Sequence, residues 1–525
     1  MWLSRRRTCR SGLLKIKDEE GKVTVYQAGV TMPGDIGSIT SAEMLVIDMN
    51  CAYHGLSTLQ LMENAGAGIA KAIRNHFEIG NILIFAGRGN NGGDAFVSAR
   101  HLKDFDIEII LLGSSKDIRT EESQLNFEII KNGNFSIREI RDSTELEGVS
   151  TNGKDIIIDA ILGTGVRGKI REPESSAIDL INRSEAFVLS VDIPSGLDPD
   201  RAFSSDVKSV RADLTLTFHR MKRGLESSKV KKFTGVVEVV DIGIPRKMEV
   251  LTGPGDVKLL LRRRDDSHKG ENGKVLIIGG GPYTGAPALS ALAALRTGAD
   301  WVTVMMPKKS YQAVQSFSPD LIVRPLSSDI LTKADLPAIT EEIQKHDVVV
   351  IGMGLGSEGE TVKAAESIIE ECDKVVIDAD GLYALRLPIK EGIKAIITPH
   401  AGEFSKICDL KVPREVEERV KFAEEFTKAN NLTLVLKGKL DVISSGKKSK
   451  INITGNSGMT VGGTGDVLSG ITGAMYTMTD DPLQAASAAA FISGKAGDIA
   501  FEEYGNSLLA TDVVKRIPQA ISPRG

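Results

Sequence analysis

At 525 residues the chain is too long for one typical hydrophobic core and long enough for two. Its net charge of -5 excludes the broad basic footprint of a nucleic-acid binder, and no apolar run is long enough to span a bilayer. Four cysteines without C-x-x-C spacing and seven scattered histidines exclude a disulfide framework and a zinc site, and point to reduced thiols in the cytoplasm.

Residues 1–37 carry Arg5-Arg6-Arg7 and Arg10, but Lys17-Asp18-Glu19-Glu20 follows and no long amphipathic stretch develops, which argues against a transit peptide. A disordered extension is expected, or a start at Met32. Asn81 to Ala86 then reads as a strand, Gly87-Arg88-Gly89-Asn90-Asn91-Gly92-Gly93-Asp94 as the loop after it, and Ala95 to Leu102 as a helix. Gly87, Gly89 and Gly92 satisfy the dinucleotide fingerprint G-x-G-x-x-G. Yet the next strand, Ile107 to Leu112, ends in Gly113-Ser114-Ser115 instead of the acidic residue that grips a ribose, which disfavours an ordinary dehydrogenase. Asp155 to Asp159 and Phe187 to Asp192 each end an apolar strand in an aspartate. Asn91, Asp159, Asp192 and Ser195 are hard oxygen donors suited to an alkali or alkaline-earth cation, or else caps of turns and helices.

Gly243-Ile244-Pro245-Arg246 closes this first pattern, and Leu251-Thr252-Gly253-Pro254-Gly255-Asp256 punctuates a boundary. Beyond it, Lys274 to Gly279 reads as a buried strand, Gly279 to Gly285 as its loop and Ala286 to Arg296 as a helix. Further strands run over Asp347–Gly352, Lys374–Asp378, Ile396–Thr398 and Leu434–Leu436. Each collects its glycine and polar residues at the C-terminal end, the edge where an open α/β sheet binds ligands. Gly462-Gly463-Thr464-Gly465-Asp466 then opens a helix. Glycines there let backbone N–H groups approach a phosphate at the positive end of the helix, and Asp466 is placed to take a proton from an attacking hydroxyl. The plainer alternative is a glycine-rich turn entering a buried helix, since Val467, Leu468, Ile471 and Ala474 form an apolar face. His400 and Lys437 are ambiguous alone, but their places at strand ends favour contact with substrate and with nucleotide respectively.

Two sets of motifs carry a resemblance. Asn90-Asn-Gly-Gly-Asp94, Asp159-Ala-Ile-Leu-Gly-Thr-Gly165 and Val191-Asp-Ile-Pro-Ser-Gly-Leu-Asp198, with the helix segment Leu61-Met-Glu-Asn-Ala-Gly66, resemble the NAD(P)H-hydrate epimerases over about Ile39 to Gly243. Thr398-Pro-His-Ala-Gly-Glu403, Lys437-Gly-Lys-Leu-Asp441 and Asn456-Ser-Gly-Met-Thr-Val-Gly-Gly-Thr-Gly-Asp466 resemble the ADP-dependent NAD(P)H-hydrate dehydratases, from about Val257 to near the C-terminus. The resemblance implies an α/β chain in which a Rossmann-like three-layer epimerase domain, residues 38–247, is followed by a ribokinase-like dehydratase domain, residues 252–525.

It also implies site residues. Potassium would be held by Asn91, Asp159 and Ser195. The hydrated nucleotide would be held in the epimerase by Asn90, Asn91, Gly92, Gly93, Asp94, Gly163, Thr164, Gly165, Val166, Arg167, Gly168, Lys169 and Asp192, with Arg88 and Arg167 standing where proline and lysine are usual. In the dehydratase, Ala286, Gly354, Gly356, His400 and Asp466 would meet substrate, and Lys437, Gly438, Lys439, Leu440, Asp441 and Gly465 the nucleotide, with Asp466 catalytic. Magnesium and ADP or ATP would serve as cofactor and co-substrate. The implied activity is epimerisation of R and S hydrates of NADH and NADPH and dehydration of the S form, with ADP converted to AMP and phosphate. A cytoplasmic homo-oligomer without nucleic-acid or membrane partners is expected. A small-molecule kinase of the ribokinase-like fold fused to a nucleotide-binding domain, and a sensor that binds without turnover, are the alternatives; retention of Asp466 and of the oxygen donors argues against the sensor.

Overall fold

The structure is a computed structural model that describes residues 13–17, 23–27, 37–165, 168–201, 207–261, 266–408 and 410–522. Strands β1 (Leu13–Lys17) and β2 (Val23–Gln27) pair antiparallel and form a unit by themselves. The rest of the extension expected to be disordered lies outside the described residues, as do Val166 and Arg167.

Residues 37–525 make up one compact unit with two sheets. The first contains β3 (Asn81–Ala86), β4 (Asp106–Leu112), β5 (Ser136–Ile140), β6 (Ile156–Ala160), β7 (Phe187–Val191), β8 (Leu214–Phe218) and β9 (Val236–Val240). Their order is 5-4-3-6-7-8-9 and every pairing is parallel. Such a sheet has both faces covered, so its strands must be apolar without alternation. Ile82, Leu83, Ile84, Phe85 and Ala86 are accordingly all fully buried. The order reverses between β3 and β6, which opens a crevice at their C-terminal ends.

The second sheet holds β10 (Lys274–Ile278), β11 (Trp301–Met306), β12 (Ile322–Pro325), β13 (Val348–Ile351), β14 (Lys374–Ile377), β15 (Lys394–Ile397), β16 (Thr433–Leu436), β17 (Asp441–Ser444) and β18 (Ser449–Asn452). The order is 12-11-10-13-14-15-16-17-18, parallel as far as β16 and antiparallel beyond. Its switch point lies between β10 and β13. Helices Ala286–Thr297 and Thr464–Thr477 cross so closely on one face that a Cβ on Gly470 would sit 2.0 Å from Ser290 O, and one on Gly473 would sit 2.4 Å from Val350 Cγ2 of β13. No helix among the described residues is long and apolar enough to cross a membrane.

The strands read from the sequence, β3, β4, β6, β7, β10, β13, β14, β15 and β16, fall within two residues of it, while β1, β2, β5, β8, β9, β11, β12, β17 and β18 were not read, and one boundary moves. Asn90–Asp94, read as loop, is the first turn of helix Asn90–His101. Two glycines lower helix propensity there, and tertiary contact overrides it. A Cβ on Gly92 would lie 2.0 Å from Gly87 O, and one on Gly93 2.4 Å from Ser123 Oγ and 2.7 Å from Met62. The glycines are therefore demanded by the close fit of this helix start.

Helix Ser41–Tyr53 of the first half packs on helix Pro254–Leu260 at the start of the second. Asn50 Nδ2 donates to Leu251 O at 3.0 Å and Asp256 Oδ2 at 2.8 Å, and Gly255 N donates to Asn50 Oδ1 at 2.8 Å. The Tyr53 ring meets Phe491 edge to face at 5.2 Å. Asn50 is 1% exposed, so Asn50→Ala strands the buried Gly255 N and takes one partner from the part-buried Leu251 O, while Asp256 keeps Gly253 N and Lys450. We expect a loss of about 1–3 kcal/mol for each group left unpaired, read as a lower urea midpoint.

Candidate active sites

At the switch point of the second sheet, the loops after β10 and β13 lie backbone to backbone. Gly280 N donates to Met353 O at 2.8 Å, and a Cβ on Gly354 would come within 2.3 Å of Tyr283 O. Gly354 and Gly356 also adopt φ of 69° and 83°, where glycine alone is unstrained. Gly356 N is fixed by Asp380 Oδ2 at 2.9 Å, and Ala286 opens the helix after the first loop. Three of the expected substrate residues thus share one sheet edge.

Helix Thr464–Thr477 begins beside them, with Gly463 as cap at φ 98°. Thr464 Oγ1 ties the loop by donating to Met459 O at 2.8 Å. The first N–H groups of a helix have no partner within it, so the Gly463, Thr464 and Gly465 amides form an anion cradle. A Cβ on Gly465 would stand 3.3 Å from Lys437 Nζ, which puts a cation at this cradle. Lys437 Nζ donates to Asp378 Oδ1 at 3.1 Å and lies 3.6 Å from Glu403 Oε2. Burial alone would lower its pKa, but Asp378, Glu403 and Asp466 outweigh that and raise it. Ser469 donates to the other oxygen of Asp378. Asp466 is half-buried, and burial together with the Asp378 charge lifts its pKa to about 7, against the pull of Lys437.

Asp378 was not among the expected site residues. Its signal was present, since it ends β14 just as Asp159 and Asp192 end their strands. The remaining expected residues are brought to the same edge. His400 pairs with Lys437 in an isolated bridge. Its Nδ1 accepts from Gly402 N at 3.0 Å and Glu403 N at 3.2 Å, while Glu403 Oε2 accepts from His400 N at 2.8 Å. His400 therefore caps helix Ala401–Cys408 and carries its proton on Nε2, with 58% of the side chain exposed. A cavity of about 230 Å³ lies between His400, Glu403, Asp380 and Tyr383. Lys437 to Asp441 form the turn between β16 and β17, closed by Gly438 N donating to Asp441 Oδ1 at 3.0 Å, with Lys439 exposed at its tip. Asn456-Ser-Gly-Met459 supports the glycine loop from behind. Asn456 Nδ2 donates to Asp498 Oδ1 at 3.0 Å, and Met459 packs on Gly497.

In the first sheet, Asp159 is fully buried at the end of β6. Its oxygens accept from Ser190 Oγ at 2.8 Å, Ser195 N at 2.9 Å and Ser195 Oγ at 2.5 Å. Burial raises its pKa despite these bonds. Asn91 is 8% exposed, and its amide nitrogen has no partner among the described residues. Its side chain lies against Gly163, 3.3 Å from where a Cβ would stand, which brings together the loops after β3 and β6. Asp159 and Ser195 are one bonded group, whereas no hydrogen bond joins Asn91 to either. Asn90 Oδ1 accepts from Thr120 Oγ1 at 2.6 Å. Gly163, Thr164, Gly165, Gly168 and Lys169 continue the β6 loop without a bond to this group. Asp192, at the end of β7, pairs with Lys222 at 2.7 Å. Lys222 and Asp48 also escaped the sequence reading; a lysine within His219-Arg-Met-Lys-Arg223 gives no signal of burial.

Two parallel-sheet domains, each gathering glycine loops and buried carboxylates at its switch point, define a fused pair of α/β enzymes. The family model described as NAD(P)H-hydrate dehydratase matches residues 275–519, and that described as YjeF-related protein N-terminus matches residues 58–224. The chain is 47% identical over 483 residues to the bifunctional NAD(P)H-hydrate repair enzyme Nnr of Archaeoglobus fulgidus, covering 92% of this chain and 98% of that one. It is 44% identical over 496 residues to the enzyme of the same name from Methanothermobacter thermautotrophicus, covering 92% and 95%. Among solved structures, it is similar to the ADP/ATP-dependent NAD(P)H-hydrate dehydratase from Bacillus subtilis co-crystallized with ATP/Mg2+, at 27% identity and a TM-score of 0.46, over 52% of this chain and 97% of that one. The chain belongs to the family of bifunctional NAD(P)H-hydrate repair enzymes.

Proposed function

We propose that residues 38–247 interconvert the R and S hydrates of NADH and NADPH, and that residues 252–525 dehydrate the S form while converting ADP to AMP and phosphate. The observation that carries this reading is Asp466, a carboxyl with a pKa near 7 beside a helix N-terminus opened by glycine and flanked by Lys437. A base poised near neutrality is what proton abstraction from a hydroxyl needs. Asp466 takes the proton of the ring hydroxyl as its oxygen attacks the β-phosphate of ADP. The amides of Gly463, Thr464 and Gly465, with Lys437, stabilise the charge that develops. AMP leaves as the new phosphorus–oxygen bond forms. The ring nitrogen then pushes in its electrons, the carbon–oxygen bond breaks and phosphate leaves; the neighbouring ring carbon loses a proton to water, its electron pair forms the ring double bond, and the electrons return to nitrogen to give NADH. ADP is the co-substrate in this reading, with ATP as its substitute.

Among the described residues no group of three or more His, Cys, Asp or Glu is arranged to hold a metal. That suits magnesium, which keeps several waters and rides on substrate phosphates; Glu403 and Asp380 are the carboxylates at hand to meet its waters, and it would supply charge neutralisation. In the first domain, the side-chain oxygens of Asp159, Ser195 and Asn91 are hard donors that fit potassium, which would supply a fixed positive charge. Val236 and Val239 stand exposed on the edge strand β9, which supports a homo-oligomer. We place the protein in the cytoplasm.

The test incubates purified protein with hydrated NADH and either ADP or ATP and follows the return of NADH absorbance. A stable phosphorylated product would instead support a kinase. Because Asp466 must be ionised to act and its pKa is raised to about 7, kcat/KM for dehydration should fall about tenfold per pH unit below that value. A rate–pH profile flat down to pH about 5 would contradict this.

A further inference from the structure

The epimerase crevice holds a charge cluster around Asp192, separate from the bonded Asp159 and Ser195 group. Asp192 has φ 62°, a left-handed conformation that a non-glycine residue keeps only when its surroundings impose it. The surroundings are one-sided. Lys222 Nζ at 2.7 Å, Thr217 Oγ1 at 3.3 Å and Phe218 N at 3.3 Å all donate to Oδ1. Oδ2 receives no bond among the described residues and is left for the crevice. Lys222 is 1% exposed and spends its other N–H groups on Thr217 Oγ1 at 3.2 Å and Phe218 O at 2.9 Å. The lysine is therefore saturated and cannot reach a substrate itself.

Two more carboxyls face this pair. Asp94 comes from helix Asn90–His101 and is 9% exposed, and Asp48 comes from helix Ser41–Tyr53. Neither makes a hydrogen bond or ion pair among the described residues. A buried carboxyl without a partner is costly unless it is kept neutral. Burial, reinforced by the Asp192 and Asp48 charges, holds Asp94 well above the usual carboxylate range. Burial likewise lifts Asp48 to about 7, with Lys222 opposing. One carboxyl tied to a lysine thus shares the crevice with a buried carboxyl that has no partner among the described residues, an arrangement suited to an acid–base pair.

Resting on the reading that residues 38–247 epimerise the hydrates, we propose that Asp94 and Asp192 exchange the protons of that reaction, and that Lys222 is the residue that positions Asp192. The hydroxyl-bearing carbon lies next to the ring nitrogen. The nitrogen lone pair forms a double bond to that carbon as the carbon–oxygen bond breaks. Its electron pair leaves with the hydroxyl, which takes the proton of Asp94 and departs as water. Water then adds to the opposite face. Its oxygen forms the new bond, the double-bond electrons return to nitrogen, and its surplus proton passes to Asp192. Asp94 ends as carboxylate and Asp192 as acid, the states needed to run the opposite epimer. No oxidant, reductant or further reactant is required.

The test uses the full chain without nucleotide and follows conversion of separated S hydrate to R by chromatography. Asp192→Asn and Asp94→Asn should each lower kcat by about 10²–10⁴-fold. Lys222→Met should lower kcat by about tenfold or more with KM little changed, since Asp192 is no longer held in place. Lys222→Arg should recover most of the loss. Dehydration of S hydrate with ADP should be unchanged in every variant, which reports that the chain is folded. If Lys222→Met loses dehydration as well, the near-isosteric asparagine variants decide the question. A wild-type kcat in either asparagine variant, or in Lys222→Met, overturns the assignment. If the wild-type protein itself leaves the S hydrate unconverted, the functional reading falls and takes this inference with it; if only the variants behave as wild type, the inference falls alone.

Discussion

Asp466→Asn should abolish dehydration, with turnover down by about 10²–10⁴-fold, while nucleotide binding persists. The amide has nearly the same shape but cannot accept the proton of a ring hydroxyl. The cradle that would hold the phosphates is built from the Gly463, Thr464 and Gly465 backbone, and Lys437 is anchored on Asp378 at 3.1 Å, so neither depends on the Asp466 charge. Removing that charge relieves repulsion from Asp378 and Glu403, both of which raise the Asp466 pKa. The variant should therefore fold at least as well as the parent. Measured by single-turnover return of NADH absorbance and by nucleotide-induced thermal stabilisation, lost turnover with retained stabilisation is the expected pair of results. Near-normal turnover would remove Asp466 from the role of base.

The strand-end aspartates show what could be read in advance and what could not. Asp159, Asp192 and Asp466 were legible because an apolar run or a glycine turn directly precedes each, and the parallel sheet then delivers the residue to its C-terminal edge. The plainer reading of the glycine turn describes the helix itself: Val467, Ile471 and Ala474 are fully buried, and that helix aims the amides. Lys222 and Asp48 were not legible, because a lysine among basic residues and an aspartate on a mixed helix look solvated. Lys222 is buried only through contacts far apart in sequence, such as the 30 residues separating it from Asp192. The first turn at Asn90–Asp94 was misread for a related reason. Its glycines argue against a helix locally, and only the approach of Gly87, Ser123 and Met62 explains why they are there. His400 and Asp441 were expected to contact ligands, and the structure adds that each also closes the backbone turn on which it sits.

Asp159→Ala in the full chain should split the two activities. Spontaneous hydration yields both epimers, and a dehydratase pocket that must place one hydroxyl in line with a phosphate accepts one hand only. The wild-type chain should therefore recover all NADH from a mixed hydrate. The variant should recover the S fraction at the normal rate and then stall, with the remainder following only as fast as uncatalysed epimerisation allows. The reason is local. Asp159 is fully buried and gathers Ser190 Oγ, Ser195 N and Ser195 Oγ, so alanine leaves Ser190 Oγ and Ser195 N without their acceptor and removes the carboxyl member of the proposed potassium site. Those groups belong to β6, β7 and their loops, whereas the contacts between the halves run through Asn50, Tyr53, Leu251 and Asp256. The damage should stay in the first domain. Any dependence of epimerisation on potassium should vanish with it, while the ADP-dependent rate should not respond to the substitution. Equal loss of both activities would mean that the halves fold as one. Complete recovery of NADH at the wild-type rate would remove Asp159 from the epimerisation machinery, or else mean that the second domain accepts both epimers.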